Sequence, residues 1–157
     1  MVIRCAEEKD IPGMLALLRQ VGQVHRDIRP DIFRENAQKY DHQALVALLE
    51  DPLRPIFVAS EQNRVLGYCF CVHKRCENHP IFLDRSELYI DDLCVDEESR
   101  GTGIATALYD HVRCYAKESG CSVITLNVWC GNDSAQRFYG KMGMTARNIT
   151  MEFPLKD

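Results

Sequence analysis

The chain has 157 residues, of which 46% are hydrophobic and 27% charged, and its formal net charge is −4. This composition is typical of a folded globular domain, and no apolar run has the length that crosses a bilayer. The sequence has no basic run that would neutralise a phosphate backbone. We therefore expect one domain over residues 1–157, with neither a membrane nor a nucleic acid as partner.

The first residues, MVIRCAEEKD, lack the apolar stretch of a secretory signal, which favours the cytoplasm. In that compartment the eight cysteines are expected to be reduced thiols rather than a disulfide framework.

The first half of the chain predicts a strand, two helices and a hairpin. A short strand at 2–6 precedes Asp10, a candidate N-cap, and apolar residues then recur at helical spacing over 11–21. A second helix is expected at 44–49, ended by Asp51-Pro52. The period then changes to two, and strands at 56–59 and 65–72 flank the turn EQNR.

The second half predicts three strands and two helices around one glycine-rich turn. A strand at 87–95 leads into DEESRGTGIA, and a helix with an apolar face over 104–115 follows, ended by Gly120. SVITLNV is expected to be a buried strand, SAQRFYGKM a short helix closed near Gly143, and TARNITMEF a last strand. The pattern as a whole predicts an α/β fold in which helices flank a central sheet.

The turn RGTGIA, at 100–105, joins a strand to a helix and suits a pyrophosphate. Amides at a helix N-terminus are unpaired and carry partial positive charge, and glycines let phosphate oxygens approach the backbone. A plain tight turn is the alternative. The dinucleotide fingerprint is disfavoured because Thr106 stands where it requires Gly or Ala, and a triphosphate loop is disfavoured because Ile104-Ala105 replaces its Lys-Ser/Thr.

RGTGIA, preceded by the strand YIDDLCV, resembles the Arg/Gln-x-x-Gly-x-Gly/Ala motif of the GNAT acetyltransferases. A second segment resembles another motif of that family, with Asn132 opening a helix that bears Phe138-Tyr139 and closes at Gly143. The resemblance covers essentially the whole chain. It implies a single GNAT-type domain with a central mixed, mostly antiparallel sheet flanked by helices and a splayed strand before the pyrophosphate turn.

The resemblance also implies acetyl-CoA as the cofactor. Main-chain groups of the splayed strand would bind the pantetheine arm, and amides of the turn would receive the pyrophosphate. The cofactor-binding residues implied in this way are Leu93, Cys94, Val95, Arg100, Gly101, Thr102, Gly103, Ile104, Ala105 and Asn132. The side chain of Cys94 is expected to pack rather than act as a nucleophile, so no covalent acetyl-enzyme is implied. Asn132 has the alternative of a plain N-cap.

Acetyl transfer to an amine requires a base for the ammonium and a proton donor for the leaving thiolate. The resemblance makes Asp91 the first candidate base, acting through water because Asp is one methylene shorter than the family's frequent Glu. Tyr139 matches the usual general acid, and a packed aromatic is its alternative. Asp92 and Glu87 are expected to contact the acceptor, although the acids could equally form an ordinary polar strand end.

Strand alternation assigns these acids to two faces of the strand, unless a bulge shifts the register. One face is expected to carry Glu87, Tyr89 and Asp91, and the other Leu88, Ile90 and Asp92.

The acceptor is a small-molecule or peptide amine that the sequence does not identify. Asp27, Asp31 and Glu35 could join the strand acids in attracting a polyamine, an aminoglycoside or a basic peptide, or could form a solvated loop. Trp129 could wall the pocket or cover the seam of a homodimer. A catalytically idle GNAT-like domain that binds acetyl-CoA as a sensor or partner module is the alternative function.

One group of thiols and imidazoles was considered as a zinc site: Cys69, Cys71, His73, Cys76 and His79. Its spacing is not the Cys-x-x-Cys of a structural site, and buried free cysteines are common. We therefore expect no bound metal.

Overall fold

A computed structural model describes residues 1–155. It contains β1 (Val2–Cys5), α1 (Ile11–Ile28), α2 (His42–Leu49), β2 (Ile56–Glu61), β3 (Arg64–Cys76), β4 (Arg85–Val95), α3 (Ile104–Glu118), β5 (Val123–Leu126) and α4 (Asp133–Lys141). Short 3-10 turns at Glu8–Asp10 and Glu97–Ser99 precede α1 and α3. No helix within residues 1–155 combines the length and apolarity that a membrane span requires.

The chain forms two compact units, Met1–Asn127 and Val128–Asp157. The first unit is built on a five-stranded sheet in the order β1-β2-β3-β4-β5. The first three pairings are antiparallel and the β4–β5 pairing is parallel. This confirms the predicted mixed, mostly antiparallel sheet.

Helices cover both faces of this sheet. The main core joins α1 and α2 to β2, β3 and β4, and its buried members are Ile11, Met14, Leu17, Leu18, Leu45, Ile56, Val58, Val65, Tyr68, Phe70 and Cys94. Gly13 allows α1 to approach β3 closely, because a Cβ there would lie 2.8 Å from Cβ of Val65. On the opposite face, α3 packs through His111 and Tyr115, whose rings lie 4.9 and 5.0 Å from that of Phe57.

A bulge in β4 changes the faces predicted for its acids. Phe70 pairs with Asp92 but Cys71 pairs with Ile90, so Asp91 is the extra residue. Directly paired residues share a face, and Val72 pairs with Tyr89. Asp92 therefore shares its face with Tyr89 and Glu87, not with Leu88 and Ile90 as simple alternation predicts.

The parallel pairing of β4 with β5 stops before β4 ends. Its last pair is Ile90 with Leu126, whereas β4 continues to Val95. Residues 91–95 therefore present one edge that β5 does not pair, which confirms the predicted splayed strand.

In the second unit, α4 begins as predicted. Asn132 caps it by accepting a hydrogen bond from the Ala135 amide at 3.2 Å. The predicted strand at TARNITMEF is wrong, because the described residues after Gly143 contain no strand. A strand requires a hydrogen-bonded neighbour, and this segment pairs with none in the described part of the chain; Ile149 and Phe153 are 76% and 84% exposed.

Candidate active site

The turn before α3 has the backbone that a phosphate cradle requires. Gly101 and Gly103 have φ values of 77° and 88°, in the left-handed region that favours glycine, and Gly103 is the N-cap of α3. A Cβ built on either glycine would meet no atom within 4 Å. The backbone of the turn is therefore open to a ligand.

The electrostatics of this helix start favour an anion. The first turn of α3 contains no acidic residue. The amide of Ala107 donates to the Gly103 carbonyl at 3.0 Å and is the first to follow the i to i−4 pattern of α3, so the amides of residues 104–106 lie before that pattern begins. With the helix dipole, these amides form a site suited to a diphosphate.

Side chains around the turn hold its shape. Arg100 donates through Nε to the Val95 carbonyl at 3.3 Å, and the Thr102 hydroxyl donates to the Ser99 carbonyl at 2.6 Å. Both side chains thus contact carbonyls of the segment that leads into the turn.

A second set of contacts ties the end of β4 to α1 and β3. The Gln20 amide donates to Asp96 at 3.0 Å and accepts from the Glu97 amide at 3.1 Å, and Arg64 forms an ion pair with Asp96. The Gln20 hydrogen bond, followed by Arg64, lowers the pKa of Asp96 although burial opposes the shift. Asp96 therefore anchors the segment that enters the turn.

The unpaired edge of β4 includes all three residues predicted to bind the pantetheine arm: Leu93, Cys94 and Val95. The Cys94 thiol is buried and donates to the Leu17 carbonyl of α1 at 3.6 Å. Burial, aided by the charge of Asp92, raises its pKa to about 12. The thiol is therefore neutral near pH 7 and packs against α1, as expected of a residue that is not a nucleophile.

Asp91, the predicted base, is held by two residues of the segment between α1 and α2. Its Oδ2 accepts from Lys39 Nζ at 2.7 Å and from the Tyr40 hydroxyl at 2.9 Å. Burial, followed by the Asp91 charge, raises the pKa of Tyr40 to about 12, so this hydroxyl remains a donor. Oδ2 of Asp91 thus has two partners.

Asp92 lies in a different environment. Its Oδ2 accepts from the Tyr68 hydroxyl of β3 at 3.0 Å. Burial raises its pKa to about 6, and the Asp91 charge adds to this effect while Lys39 and the Tyr68 hydrogen bond oppose it. A carboxyl with this pKa is largely ionised at pH 7 and remains a good proton acceptor.

Glu87 lies in the part of β4 that β5 pairs. It is buried, and its Oε1 accepts from the Thr125 hydroxyl of β5 at 2.8 Å. This carboxylate links the two strands before they diverge.

Tyr139 and Asn132 belong to the second unit. The Tyr139 ring is half-buried and lies 5.1 Å from that of Phe138, centroid to centroid, in an edge-on arrangement. Asn132 has the capping role described above. Their predicted roles toward the cofactor stay predictions.

Two of the acids that were predicted to attract a cation, Asp27 and Asp31, contact side chains of this chain. Asp27 accepts from the Gln23 amide at 2.6 Å, and Asp31 forms a bidentate pair with Arg29 at 2.9 and 2.7 Å. Of these two acids, Asp31 is paired with a cation and Asp27 with a neutral amide.

The cysteines and histidines considered as a zinc site are not gathered around one point. The Cys69 and Cys71 sulfurs lie 3.7 Å apart in the core, and His73 contacts the Tyr115 hydroxyl at 3.0 Å. His79 instead accepts from the Ile81 and Phe82 amides of the β3–β4 loop. Within residues 1–155, no group of three or more such ligands could hold a metal ion. The absence of metal from the protein stays a prediction.

Sequence reasoning missed Lys39, Tyr40 and Tyr68. Lys39 and Tyr40 are 52 and 51 positions from Asp91, and Tyr68 is 24 positions from Asp92. No local motif could have indicated these contacts. The pairing of β3 with β4 brings Tyr68 to Asp92, and the segment between α1 and α2 brings Lys39 and Tyr40 to Asp91.

Comparison with known proteins decides the family. Residues 21–144 match the family model described as "Acetyltransferase (GNAT) family". The chain belongs to the GNAT acetyltransferase family.

Two curated GNAT relatives match part of this chain. One, named as an uncharacterized N-acetyltransferase of Mycobacterium bovis, is 32% identical over 60% of this chain and 55% of its own. Another of the same description, from Methanocaldococcus jannaschii, is 32% identical over 62% of this chain and 56% of its own. The chain thus spans a little over half the length of these relatives.

Solved structures match the GNAT fold over nearly the whole chain. A mutant of the BH1408 protein of Bacillus halodurans is 31% identical, with a TM-score of 0.95 over 99% of this chain and 100% of the other. An aminoglycoside acetyltransferase from an uncultured soil sample has a TM-score of 0.75 over 99% and 95% of the two chains, at 22% identity. The second likeness shows the fold alone.

Proposed function

We propose that this chain is an acetyl-CoA-dependent N-acetyltransferase that acts on a primary amine. The observation that carries the proposal is the order of three features along one stretch of the first unit. An open glycine turn at the start of α3 follows directly on the unpaired edge of β4, and that edge begins at the acid pair Asp91-Asp92. The glycine turn would match the pyrophosphate, the unpaired edge of β4 the pantetheine arm, and the acid pair the reacting amine.

The residues of this surface fit acetyl-CoA. The amides that open α3 would hold the pyrophosphate, and the free edge of residues 91–95 would hold the pantetheine arm as an added strand. When bound, acetyl-CoA supplies the acetyl group as a thioester. Each of these contacts would be made by the main chain, so it is compatible with the hydrogen bonds that the side chains of Arg100, Thr102 and Cys94 donate to carbonyls of the protein.

We propose Asp92 as the base, in place of Asp91. An alkylamine with a pKa near 10 is protonated at neutral pH and must lose a proton to react. Asp92 can accept that proton, directly or through water, whereas Oδ2 of Asp91 is held by Lys39 and Tyr40. Tyr139 is proposed as the acid whose hydroxyl donates a proton to the leaving thiolate; this role rests on the motif of α4.

The test is release of free thiol from acetyl-CoA when the full chain is offered a panel of primary amines. We expect thiol release above the rate without amine for at least one of them. An idle acetyl-CoA-binding module would instead gain melting temperature with acetyl-CoA and release no thiol with any amine. A cytoplasmic location and a homodimer accompany this proposal as predictions.

A further inference from the structure

A lysine of this chain already occupies one of the two acids at the proposed site. Lys39 Nζ lies 2.7 Å from Oδ2 of Asp91 and 3.4 Å from the Asp91 carbonyl oxygen. We propose that Lys39 is an internal cation that fills the anionic subsite at Asp91, so that the site takes acceptors with one amino group and discriminates against diamines and polyamines. This inference rests on the proposed function and deepens it by defining the acceptor class.

The contact is more ordered than a loose surface ion pair. Tyr40 donates to the same oxygen at 2.9 Å, and its ring packs on that of Phe70 with centroids 5.7 Å apart. Phe70 is a buried member of the main core and pairs with Asp92 across the strands. The side chains of Asp91 and Lys39 are 22% and 42% exposed. Tyr40 therefore fixes the carboxylate that Lys39 neutralises.

The charges at the site leave one negative charge that is not balanced when both acids are ionised. Asp91 and Asp92 contribute two negative charges when both are ionised, and Lys39 contributes one positive charge. A monoamine that approaches Asp92 would meet the remaining negative charge. The second ammonium of a diamine would find Asp91 occupied and Lys39 beside it, and two like charges several ångströms apart repel.

The ionisation of Asp92 gives a second readout. The titratable groups that act on it or face it are Lys39 and Tyr40 of the α1–α2 segment, Tyr68 and Cys69 of β3, and Asp91 and Cys94 of β4. Among them Lys39 is the cation, and it lowers the pKa of Asp92 against the dominant effect of burial. Removing the Lys39 charge should therefore raise the pKa of Asp92 further.

The experiment compares Lys39→Gln with Lys39→Arg, which keeps the charge. Calorimetry on the full chain saturated with coenzyme A measures the binding of two probes of equal chain length, n-butylamine and 1,4-diaminobutane. We expect the wild type and Lys39→Arg to bind the diamine no better than the monoamine. Lys39→Gln should bind the diamine roughly three- to tenfold more tightly than the wild type does, with little change for butylamine. Adding Asp91→Asn should abolish the gain.

Carbon-13 NMR of the Asp92 carboxyl, recorded without any amine, should give a higher pKa in Lys39→Gln and an unchanged value in Lys39→Arg. Three results would overturn the inference: a wild type that prefers the diamine, a Lys39→Gln variant with no gain or no measurable binding, or an unchanged Asp92 pKa in that variant. Failure of the proposed function has a different signature, which is the absence of thiol release from acetyl-CoA with every amine.

Discussion

Asp91 and Asp92 are neighbours in the chain, yet they experience opposite environments. The bulge at Asp91 directs the pair to different partners, so that Asp91 meets a cation and a phenol while Asp92 meets a phenol and the core. Burial without a direct cationic partner keeps the pKa of Asp92 at about 6. The same acid type thus serves as a fixed anion at one position and as a candidate base at the next.

For Asp92→Asn we expect a large loss of transfer together with a gain in stability at pH 7. The folded-state pKa of Asp92, about 6, is raised above its unfolded value of about 4, so the folded protein loses stability as the pH rises between these two values and bears the full cost at pH 7. Asn can still accept from Tyr68. Unfolding in urea at pH 7 should show a gain of about 1–2 kcal/mol, and the gain should shrink towards pH 4.

The neighbouring variant Asp91→Asn is the control, because it breaks the ion pair with Lys39. It should lose about 0.5–1.5 kcal/mol at pH 7. A loss of stability in Asp92→Asn, of the same sign as in Asp91→Asn, would contradict the assigned environment of Asp92.

Tyr139→Phe should lower turnover by roughly tenfold to a thousandfold, the range for loss of one general acid. The ring remains beside Phe138, so the affinity for acetyl-CoA should change little. The loss should shrink with an acetyl thioester of a more acidic thiol, because a better leaving group needs less protonation. Steady-state kinetics with both thioesters measures this. Equal turnover of the two proteins would make Tyr139 a packing residue.

Among the secondary-structure elements, the start of α3 is the proposed cofactor site. Gly103→Asp places an anion at the N-cap of α3, where it repels a pyrophosphate; the φ of 88° strains Asp there as it also strains the control residue Asn. We expect the variant to fold and to lose the rise in melting temperature that coenzyme A gives the wild type. Gly103→Asn has the same shape without the charge and should keep part of that rise. Undiminished binding by Gly103→Asp would move the phosphate site elsewhere.

The start of α1 depends on a buried ion pair. Asp10 is 3% exposed, and both of its oxygens accept from Arg4, at 2.6 and 2.9 Å. Burial alone would raise the pKa of Asp10, but the Arg4 hydrogen bond and the Glu7 amide outweigh it and the pKa is lowered.

Because the folded-state pKa is the lower one, this stabilisation is present above the unfolded pKa of about 4 and is lost as the pH falls through the folded value. Asp10→Asn should therefore cost about 1–3 kcal/mol at pH 7 and less near pH 3. Urea unfolding at the two pH values measures the difference. A cost independent of pH would mean that packing, not charge, sets the role of Asp10.

Most elements could be predicted because each follows from local chemistry. The apolar period of three to four predicts α1 and α3, and the turn at Gln62-Asn63 between alternating runs predicts the hairpin, where both residues have positive φ. The bulge at Asp91 could not be predicted, since it is set by the register between strands. TARNITMEF has the composition of a strand but lacks a paired neighbour among the described residues, and composition cannot show that.

Across the molecule, the glycine turn before α3 was predictable and the surroundings of the acids were not. The turn is one continuous segment, whereas Lys39 and Tyr40 reach Asp91 through tertiary structure alone. Their contacts with Oδ2 of Asp91 are the reason that we propose Asp92 rather than Asp91 as the base. The positive charge of Lys39 also offsets the negative charge beside it, so this region is less negative than its acidic residues alone indicate.

This GNAT domain is proposed to transfer acetyl groups to amines. The most direct measurement quantifies two products of one reaction of the full chain with acetyl-CoA and a reactive amine: free thiol by colorimetry and acetylated amine by mass spectrometry. We expect the two to appear in equal amounts and faster than without protein, with the rate falling as the pH drops below about 6, where Asp92 becomes protonated. Thiol released without acetylated amine, or binding of acetyl-CoA with neither product across the amine panel, would contradict the account.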